Sequence, residues 1–110
     1  MSFTPQEVKI IHEVFQRIDL NYKIHIPITT LISKHNISES TLCRGFKVMY
    51  QTTIYRYRMD KCMRYAKDQI ALGMQIKIIQ QELGYKTTGD FARAYKKFFG
   101  YVPSSTHHGK

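Results

Sequence analysis

The chain has 110 residues, a net charge of +9 at pH 7 and a pI near 9.7. Its hydrophobic content of 43% is enough for one small domain or two subdomains that share a core. No apolar run approaches the roughly 18 residues of a spanning helix and no signal peptide is visible, so we expect a cytoplasmic protein. The basic surplus favours a polyanionic partner, either nucleic acid or an anionic membrane surface. Cys43 and Cys62 lie in helix-like stretches, which favours reduced thiols over a disulfide.

The first predicted helix runs from about Pro5 to Leu20. Thr4-Pro5-Gln6-Glu7 is typical of a helix start, with a capping residue, a proline in the first turn and a capping box. Its predicted apolar stripe recurs at helical spacing and consists of Val8, Ile11, Phe15 and Ile18. We interpret this helix as scaffold.

A helix-turn-helix layout follows. A short helix is expected to begin at Pro27 and to end near His35, and a three-residue turn then leads to Ser38, the predicted cap of a third helix over Glu39 to Tyr50. The residues that this third helix is expected to bury are Leu42, Phe46 and Met49. Gly45 inside it costs about 0.5 to 1 kcal/mol relative to Ala. Either a close packing contact requires the glycine, or the helix tolerates it.

The second half of the chain repeats this layout after a long linker helix. The segment Ile54 to Leu72 contains neither Pro nor Gly and stops at Gly73, a typical helix end. One face of this helix is marked by Met59, Cys62, Ala66 and Ile70. We therefore predict an all-α fold of about seven helices. It consists of an N-terminal helix-turn-helix subdomain over residues 1–52, a linker helix over 53–73 and a C-terminal helix-turn-helix subdomain over 74–110.

The second predicted subdomain has its own start and stop signals. Its short helix is ended by Gly84, and either Thr87 or Thr88 caps the helix that follows. That last helix carries the apolar residues Phe91, Ala94, Tyr95 and Phe98 and stops at Gly100. The segment from Ser104 to Lys110 is polar, and we expect it to be frayed.

One phrase occurs in both subdomains. Residues 42–47 (LCRGFK) and 91–96 (FARAYK) share the pattern apolar, any, Arg, any, aromatic, Lys. The apolar and aromatic positions lie four apart and so share one helix face, while Arg44 and Arg93 point elsewhere. The repeat indicates a duplicated module that packs one side and offers an arginine on another.

These residues resemble the DNA-binding domain of the AraC/XylS family of bacterial transcription regulators. The resemblance covers about residues 5 to 103. It is carried most clearly by the C-terminal pattern Ile76-x-x-Ile79-x-x-x-Leu83-Gly84-Tyr85, then Phe91-x-Arg93-x-Tyr95-Lys96-Lys97-x-Phe99-Gly100-Tyr101-x-Pro103. The sequence departs from the family at several positions: Ile32 and Gln80 stand where a small Ala is usual, Cys62 replaces an Arg, and Gly89-Asp90 and Thr106-His107 replace other usual pairs.

The resemblance implies two base-reading helices that act in transcription regulation. The base-reading positions that it implies are Ser40, Cys43 and Arg44 in the first helix, and Thr88, Gly89 and Arg93 in the second. A guanidinium can donate two parallel hydrogen bonds to guanine, although a surface arginine can equally pair with a carboxylate or a phosphate. The hydroxyls of Ser40 and Thr88 can contact a phosphate, a base or the helix backbone. The expected phosphate contacts are Lys47, Lys86, Lys96 and Lys97.

A linker helix of roughly 28 Å leads us to expect the two recognition helices in successive major grooves of double-stranded DNA. Because the two helices differ in sequence, the target is expected to be asymmetric. RNA polymerase is a further candidate partner, and we expect no membrane partner. Members of the family usually carry a separate effector-binding or dimerisation domain. None is visible here, so the sequence is either a complete short regulator or an excised C-terminal domain.

Other function classes fit the sequence less well. The eight acids do not pair at inward helical positions, and no nucleophile elbow, P-loop or metal-binding helix occurs, so we expect no enzyme and no cofactor. His107-His108 lacks a second ligand pair at a fixed spacing, so we expect no metal site. A thiol of lowered pKa at Cys43 is the weaker reading beside a neutral, DNA-facing or partly packed cysteine. The main alternative to DNA recognition is a basic helical adaptor that binds another protein.

Overall fold

The computed structural model describes residues 2–105, which form six α-helices and a short 3-10 turn without any β-strand. The helices are α1 (Pro5–Leu20), α2 (Ile28–Ile32), α3 (Glu39–Tyr50), α4 (Ile54–Ala71), α5 (Ile76–Glu82) and α6 (Thr88–Phe99), and the 3-10 turn is Pro103–Ser105. The predicted all-α fold is therefore confirmed. Within the described range, no helix has the length and apolarity needed to cross a bilayer.

The described residues divide into two compact units, with the boundary between Arg58 and Met59. The boundary falls inside α4, so the first residues of this helix belong to the N-terminal unit and the rest to the C-terminal unit. The division into residues 1–52, 53–73 and 74–110 stays a prediction. The expectation of a frayed tail falls mostly on residues 106–110, which lie outside the described range.

Helix α1 begins with the predicted capping box. The Glu7 N–H donates to Thr4 Oγ1 at 3.1 Å, and the Thr4 N–H donates to Glu7 Oε1 at 2.9 Å. The buried residues of α1 are Ile10, Ile11, Val14 and Ile18. The predicted stripe was wrong at Val8, which stays 40% exposed. At about 100° per residue, the buried face is centred between Val14 and Ile18 and takes in Ile10 on one flank, so Val8 falls outside it.

Helix α2 is shorter than predicted. It ends at Ile32 rather than near His35, because Ser33 Oγ donates to the Thr30 carbonyl at 2.9 Å and competes with helix continuation. The connection to α3 therefore spans residues 33–38, and the predicted three-residue turn was wrong. Ser38 caps α3 as predicted, since the Thr41 N–H donates to its Oγ at 3.1 Å.

One face of α3 packs into the core of the N-terminal unit. Leu42 and Phe46 are fully buried against the apolar face of α1, whereas Met49 is only half-buried, contrary to prediction. Tyr50 stacks on Phe15 with ring centroids 4.1 Å apart. This packing occupies one side of α3 and leaves the opposite side free to meet a partner.

Gly45 lies at the closest approach of α3 to α1. A Cβ placed on Gly45 would be 2.2 Å from the Ile11 Cδ1 and 3.4 Å from the Ile11 Cγ1. Two carbon atoms in contact prefer about 3.5 to 4.0 Å. A Cβ at this position would force the buried end of the Ile11 side chain to move, so the structure favours the close packing contact over simple tolerance of the glycine.

In the C-terminal unit, α4 contributes the buried residues Cys62, Met63, Ala66 and Ile70. Met59, predicted to share this face, is only half-buried and receives a hydrogen bond from the Tyr85 hydroxyl at its sulfur, at 3.8 Å. Tyr65 donates from its hydroxyl to Glu82 Oε1 at 2.7 Å, which ties α4 to α5.

The turn between α5 and α6 is organised around Gln80. This side chain is 7% exposed and donates from Nε2 to the Tyr85 carbonyl, while the Tyr85 N–H donates to the Gln80 carbonyl at 3.1 Å. Gly84 adopts the left-handed backbone that the turn requires, with φ +81°. The glutamine side chain therefore adds one hydrogen bond to the backbone bond that closes the turn.

Helix α6 is capped at both ends. Thr87, one of the two predicted candidates, accepts the Asp90 N–H at Oγ1 at 3.0 Å, and Gly100 ends the helix with φ +88°. Phe91 and Tyr95 are fully buried, whereas Ala94 and Phe98 are half-buried. As in α3, one face of the helix is packed and the other is exposed.

Candidate nucleic-acid interface

Every residue predicted to contact DNA lies at an exposed position. On α3 these are Ser40, Cys43, Arg44 and Lys47, and on or next to α6 they are Thr88, Gly89, Arg93, Lys86, Lys96 and Lys97. By helical spacing, Ser40, Arg44 and Lys47 on α3 lie away from Phe46, and Gly89, Arg93, Lys96 and Lys97 lie away from Tyr95 on α6. Thr88, in the first turn of α6, is exposed although it stands seven residues before Tyr95, and Lys86 precedes the helix.

On α3, Arg44 and Ser40 lie next to each other. Arg44 Nη1 donates to Ser40 Oγ at 3.3 Å, as expected for residues four apart on a helix. The partner is a neutral hydroxyl and the contact is long for a hydrogen bond. The guanidinium is thus held only weakly, and its other donors are available to an incoming acceptor.

Cys43 lies beside Arg44 but is not an activated thiol. Burial raises the pKa of the Cys43 thiol, and the neighbouring Glu39 carboxylate raises it further. A lowered pKa is what makes a cysteine reactive at neutral pH. The thiol is therefore neutral under ordinary conditions, which agrees with a neutral DNA-facing or partly packed cysteine.

On α6, Arg93 is engaged by a carboxylate. Its Nη2 pairs with Asp90 Oδ1, three residues earlier in the same helix, and the Arg93 and Asp90 side chains are 75% and 41% exposed. A Cβ placed on Gly89 would lie 3.6 Å from Arg93 Nη1, so the guanidinium folds back over the glycine. Thr87 supplies the cap, so the Thr88 hydroxyl is not needed for that role.

The lysines lie near the ends of the recognition helices. Lys47 is in the last turn of α3, Lys96 and Lys97 are in the last turn of α6, and Lys86 precedes the α6 cap. A cation in the last turn also interacts favourably with the helix dipole. These positions are therefore suited both to helix stability and to phosphate contact.

Asp90 was not among the predicted site residues, although the sequence carried a signal for it. An acid three residues before an arginine on a helix is within reach of an ion pair. The family resemblance marks Gly89-Asp90 only as a departure from the usual pair and does not indicate the contact with Arg93.

No cluster of three or more His, Cys, Asp or Glu residues suited to a metal ion occurs within residues 2–105. His107-His108, at which we expect no metal site, lies outside the described residues.

Residues 31–108 match a family model described as a helix-turn-helix domain. The chain belongs to this helix-turn-helix family. The match includes α3, α4, α5 and α6, and it confirms the predicted membership among AraC-type DNA-binding domains. This is a family of DNA-binding transcription regulators rather than a class of enzymes.

One curated relative agrees with this assignment. The chain is 32% identical over 79 residues to the HTH-type transcriptional regulator RipA of Corynebacterium diphtheriae, a match that covers 72% of this chain and 24% of RipA. The chain thus spans about a quarter of the length of that curated relative.

Solved structures share the fold. A probable AraC family transcriptional regulator from Rhodopseudomonas palustris superposes with a TM-score of 0.72 at 22% identity, covering 89% of this chain and 94% of that one. The DNA-binding domain of AdpA, a global transcriptional factor solved in complex with a target DNA, superposes with a TM-score of 0.70 at 11% identity and 86% coverage of both chains.

Proposed function

We propose that this chain binds double-stranded DNA sequence-specifically, as the DNA-binding module of a transcription regulator, with α3 and α6 in successive major grooves of an asymmetric site. The observation that carries the proposal is the presence of an exposed arginine, Arg44 or Arg93, on the free face of each recognition helix. The family match, and the target DNA bound by AdpA on the same fold, support it.

The chemistry of the two faces suits base reading. A guanidinium that donates two hydrogen bonds to guanine O6 and N7 provides about 1 to 3 kcal/mol of discrimination against another base. Ser40, Cys43, Thr88 and Gly89 complete the proposed base-reading surface, and they are small enough to let the helices approach the base edges. The net charge of +9 supplies the long-range attraction to a polyanion.

The four lysines are proposed to bind phosphates. Each such contact releases condensed counterions, so binding should weaken steeply as the salt concentration rises. These contacts set the register of the helices on the duplex but carry no sequence information. The base preference is therefore assigned to the arginines and the general affinity to the lysines.

A selection from random duplexes tests the proposal. We expect a retained motif of two different half-elements about ten base pairs apart, the spacing of successive major grooves. Arg44→Ala and Arg93→Ala should each relax one half-element and leave the other unchanged. As the matched control, Lys96→Ala should weaken binding to all duplexes equally and lower the salt slope by about one unit.

The protein-interaction adaptor is the alternative that the same experiment addresses. The N-terminal unit exposes Leu20, Ile24 and Tyr55, which are 80%, 63% and 67% accessible and would suit a protein partner such as RNA polymerase. Equal affinity for every duplex would contradict sequence-specific recognition and favour the adaptor. If the selected motif survived both arginine substitutions, the assignment of Arg44 and Arg93 would be wrong.

A further inference from the structure

The carboxylate of Asp90 is directed at Arg93 and not at the start of its own helix. Asp90 occupies the third position of α6, and its backbone N–H donates to the Thr87 cap at 3.0 Å. Glu7 holds the same position in α1, where its carboxylate accepts the N–H of the capping residue Thr4. In α6 the carboxylate instead pairs with the Arg93 guanidinium.

The ion pair has little value for the stability of the fold. Both side chains are well exposed, and exposed ion pairs typically contribute at most about 1 kcal/mol. Helix α6 already has a hydroxyl cap at Thr87, a glycine end at Gly100 and two fully buried aromatic residues. Stability therefore does not account for the Asp90–Arg93 pair, and we look for its role in what the exposed face of α6 binds.

The two recognition helices differ in the group that their arginine contacts. Arg44 on α3 is held by the neutral hydroxyl of Ser40 at 3.3 Å, whereas Arg93 on α6 is held by a charged oxygen. Both bonds have a charged donor, but only the Arg93 bond also has a charged acceptor, so it is the stronger and shorter kind of contact. Glu39, the acid in the first turn of α3, acts on Cys43 and does not pair with Arg44.

We propose that Asp90 is a positioning residue that sets the base preference of α6 by holding the Arg93 guanidinium in place for guanine. The inference rests on the proposed function. Arginine has five donor hydrogens in a rigid fork, so one can remain on Asp90 while two others contact guanine O6 and N7. Because the side chain is already ordered, less conformational entropy is lost on binding.

The Asp90 carboxylate also disfavours contacts of Arg93 with DNA phosphates, which carry no sequence information. A free arginine can turn to a phosphate and bind any sequence, whereas one that is tied to Asp90 must break a charged contact to do so. The negative charge in addition lowers affinity for DNA in general. Asp90 therefore exchanges general affinity for selectivity, as repulsive elements in specific interfaces do.

Asp90→Asn tests the proposal because it keeps the shape of the side chain and removes the charge. Glu39→Gln is the matched control, since it removes an acid from the first turn of the other recognition helix, where no arginine is paired with it. Dissociation constants would be measured by fluorescence anisotropy for the selected duplex and for the three duplexes that replace the guanine read by α6. Circular dichroism would verify that both variants are folded.

We expect both variants to bind all duplexes more tightly, by similar factors, because each loses one negative charge. Only Asp90→Asn should lower the guanine preference at the α6 half-element, by about two- to fivefold, since an exposed ion pair contributes at most about 1 kcal/mol. The preference at the α3 half-element should stay unchanged.

An unchanged guanine preference in Asp90→Asn would overturn the proposal, and so would an equal loss in Glu39→Gln, since that would indicate a general charge effect. Failure of the proposed function has a different signature, because the unsubstituted protein would then show no base preference at either half-element.

Discussion

Substitution of Gly45 by alanine tests the packing of α3 on α1. The new Cβ would lie 2.2 Å from the Cδ1 of Ile11, a side chain with no exposed surface. Overpacking a core by one methyl group typically costs about 1 to 3 kcal/mol. An alanine inside a helix recovers about 0.5 to 1 kcal/mol of that loss relative to glycine.

The two terms leave a net loss of between about 0 and 2.5 kcal/mol in the free energy of unfolding, or a fall of up to about 10 °C in Tm. Urea denaturation followed by far-UV circular dichroism would measure it. Gly89→Ala is the matched control, because a Cβ there meets its nearest atoms at 3.6 and 3.7 Å, which is ordinary contact. That variant should be as stable as the unsubstituted protein or slightly more stable.

A double-mutant cycle identifies the cause of the loss. Ile11→Val removes the Cδ1 that the new methyl group would strike, and alone it should cost about 0.5 to 1.5 kcal/mol. Combined with Gly45→Ala, it should destabilise the protein by less than the sum of the two single changes, because the clash is relieved. The reasoning is refuted if Gly45→Ala is stabilising, or if the two effects simply add.

Two further predictions concern single side chains. Gln80→Ala should lower the free energy of unfolding by about 1 to 2 kcal/mol, since it removes the hydrogen bond to the Tyr85 carbonyl. Urea denaturation would measure this loss, and an unchanged midpoint would contradict the prediction. Cys43 should react with an alkylating reagent more slowly than a free cysteine at pH 8, because its raised pKa reduces the thiolate fraction. Glu39→Gln should speed the reaction, because it removes the negative charge that raises this pKa in addition to burial. Mass spectrometry would follow the modification with buried Cys62 as the internal reference, and a rate unaffected by Glu39→Gln would argue against the charge effect.

The helices were predictable where local signals agree with the tertiary contacts. Helices α1 and α3 begin at the predicted residues because Thr4 and Ser38 cap them in the way that their spacing indicates, and they end at Leu20 and Tyr50 as predicted. Helix α2 was predicted too long because the competing bond from Ser33 to the Thr30 carbonyl is one of several that a serine can make. The close packing at Gly45 depends on where Ile11 lies, a contact between distant residues that no local pattern indicates.

The candidate site was predictable as a set of positions but not as a set of contacts. Helical periodicity is enough to place Arg44 and Arg93 away from the buried aromatic residues. Helical periodicity does not tell which oxygen each guanidinium contacts, because side-chain direction and capping decide the partner. At the third position of α1 the Glu7 carboxylate accepts from the capping residue, whereas at the third position of α6 the Asp90 carboxylate pairs with Arg93.

The two copies of the repeated phrase therefore differ in a way that their shared letters do not show. Arg44 lies next to a hydroxyl and a neutral thiol, whereas Arg93 is tied to a carboxylate over a glycine. If arginines carry the base preference of both helices, the ordered one should discriminate more sharply and the loosely held one should tolerate more substitution. The two half-elements of the selected motif should then differ in sequence and also in how strongly each excludes other bases. The guanine in the half-element read by α6 should tolerate fewer substitutions.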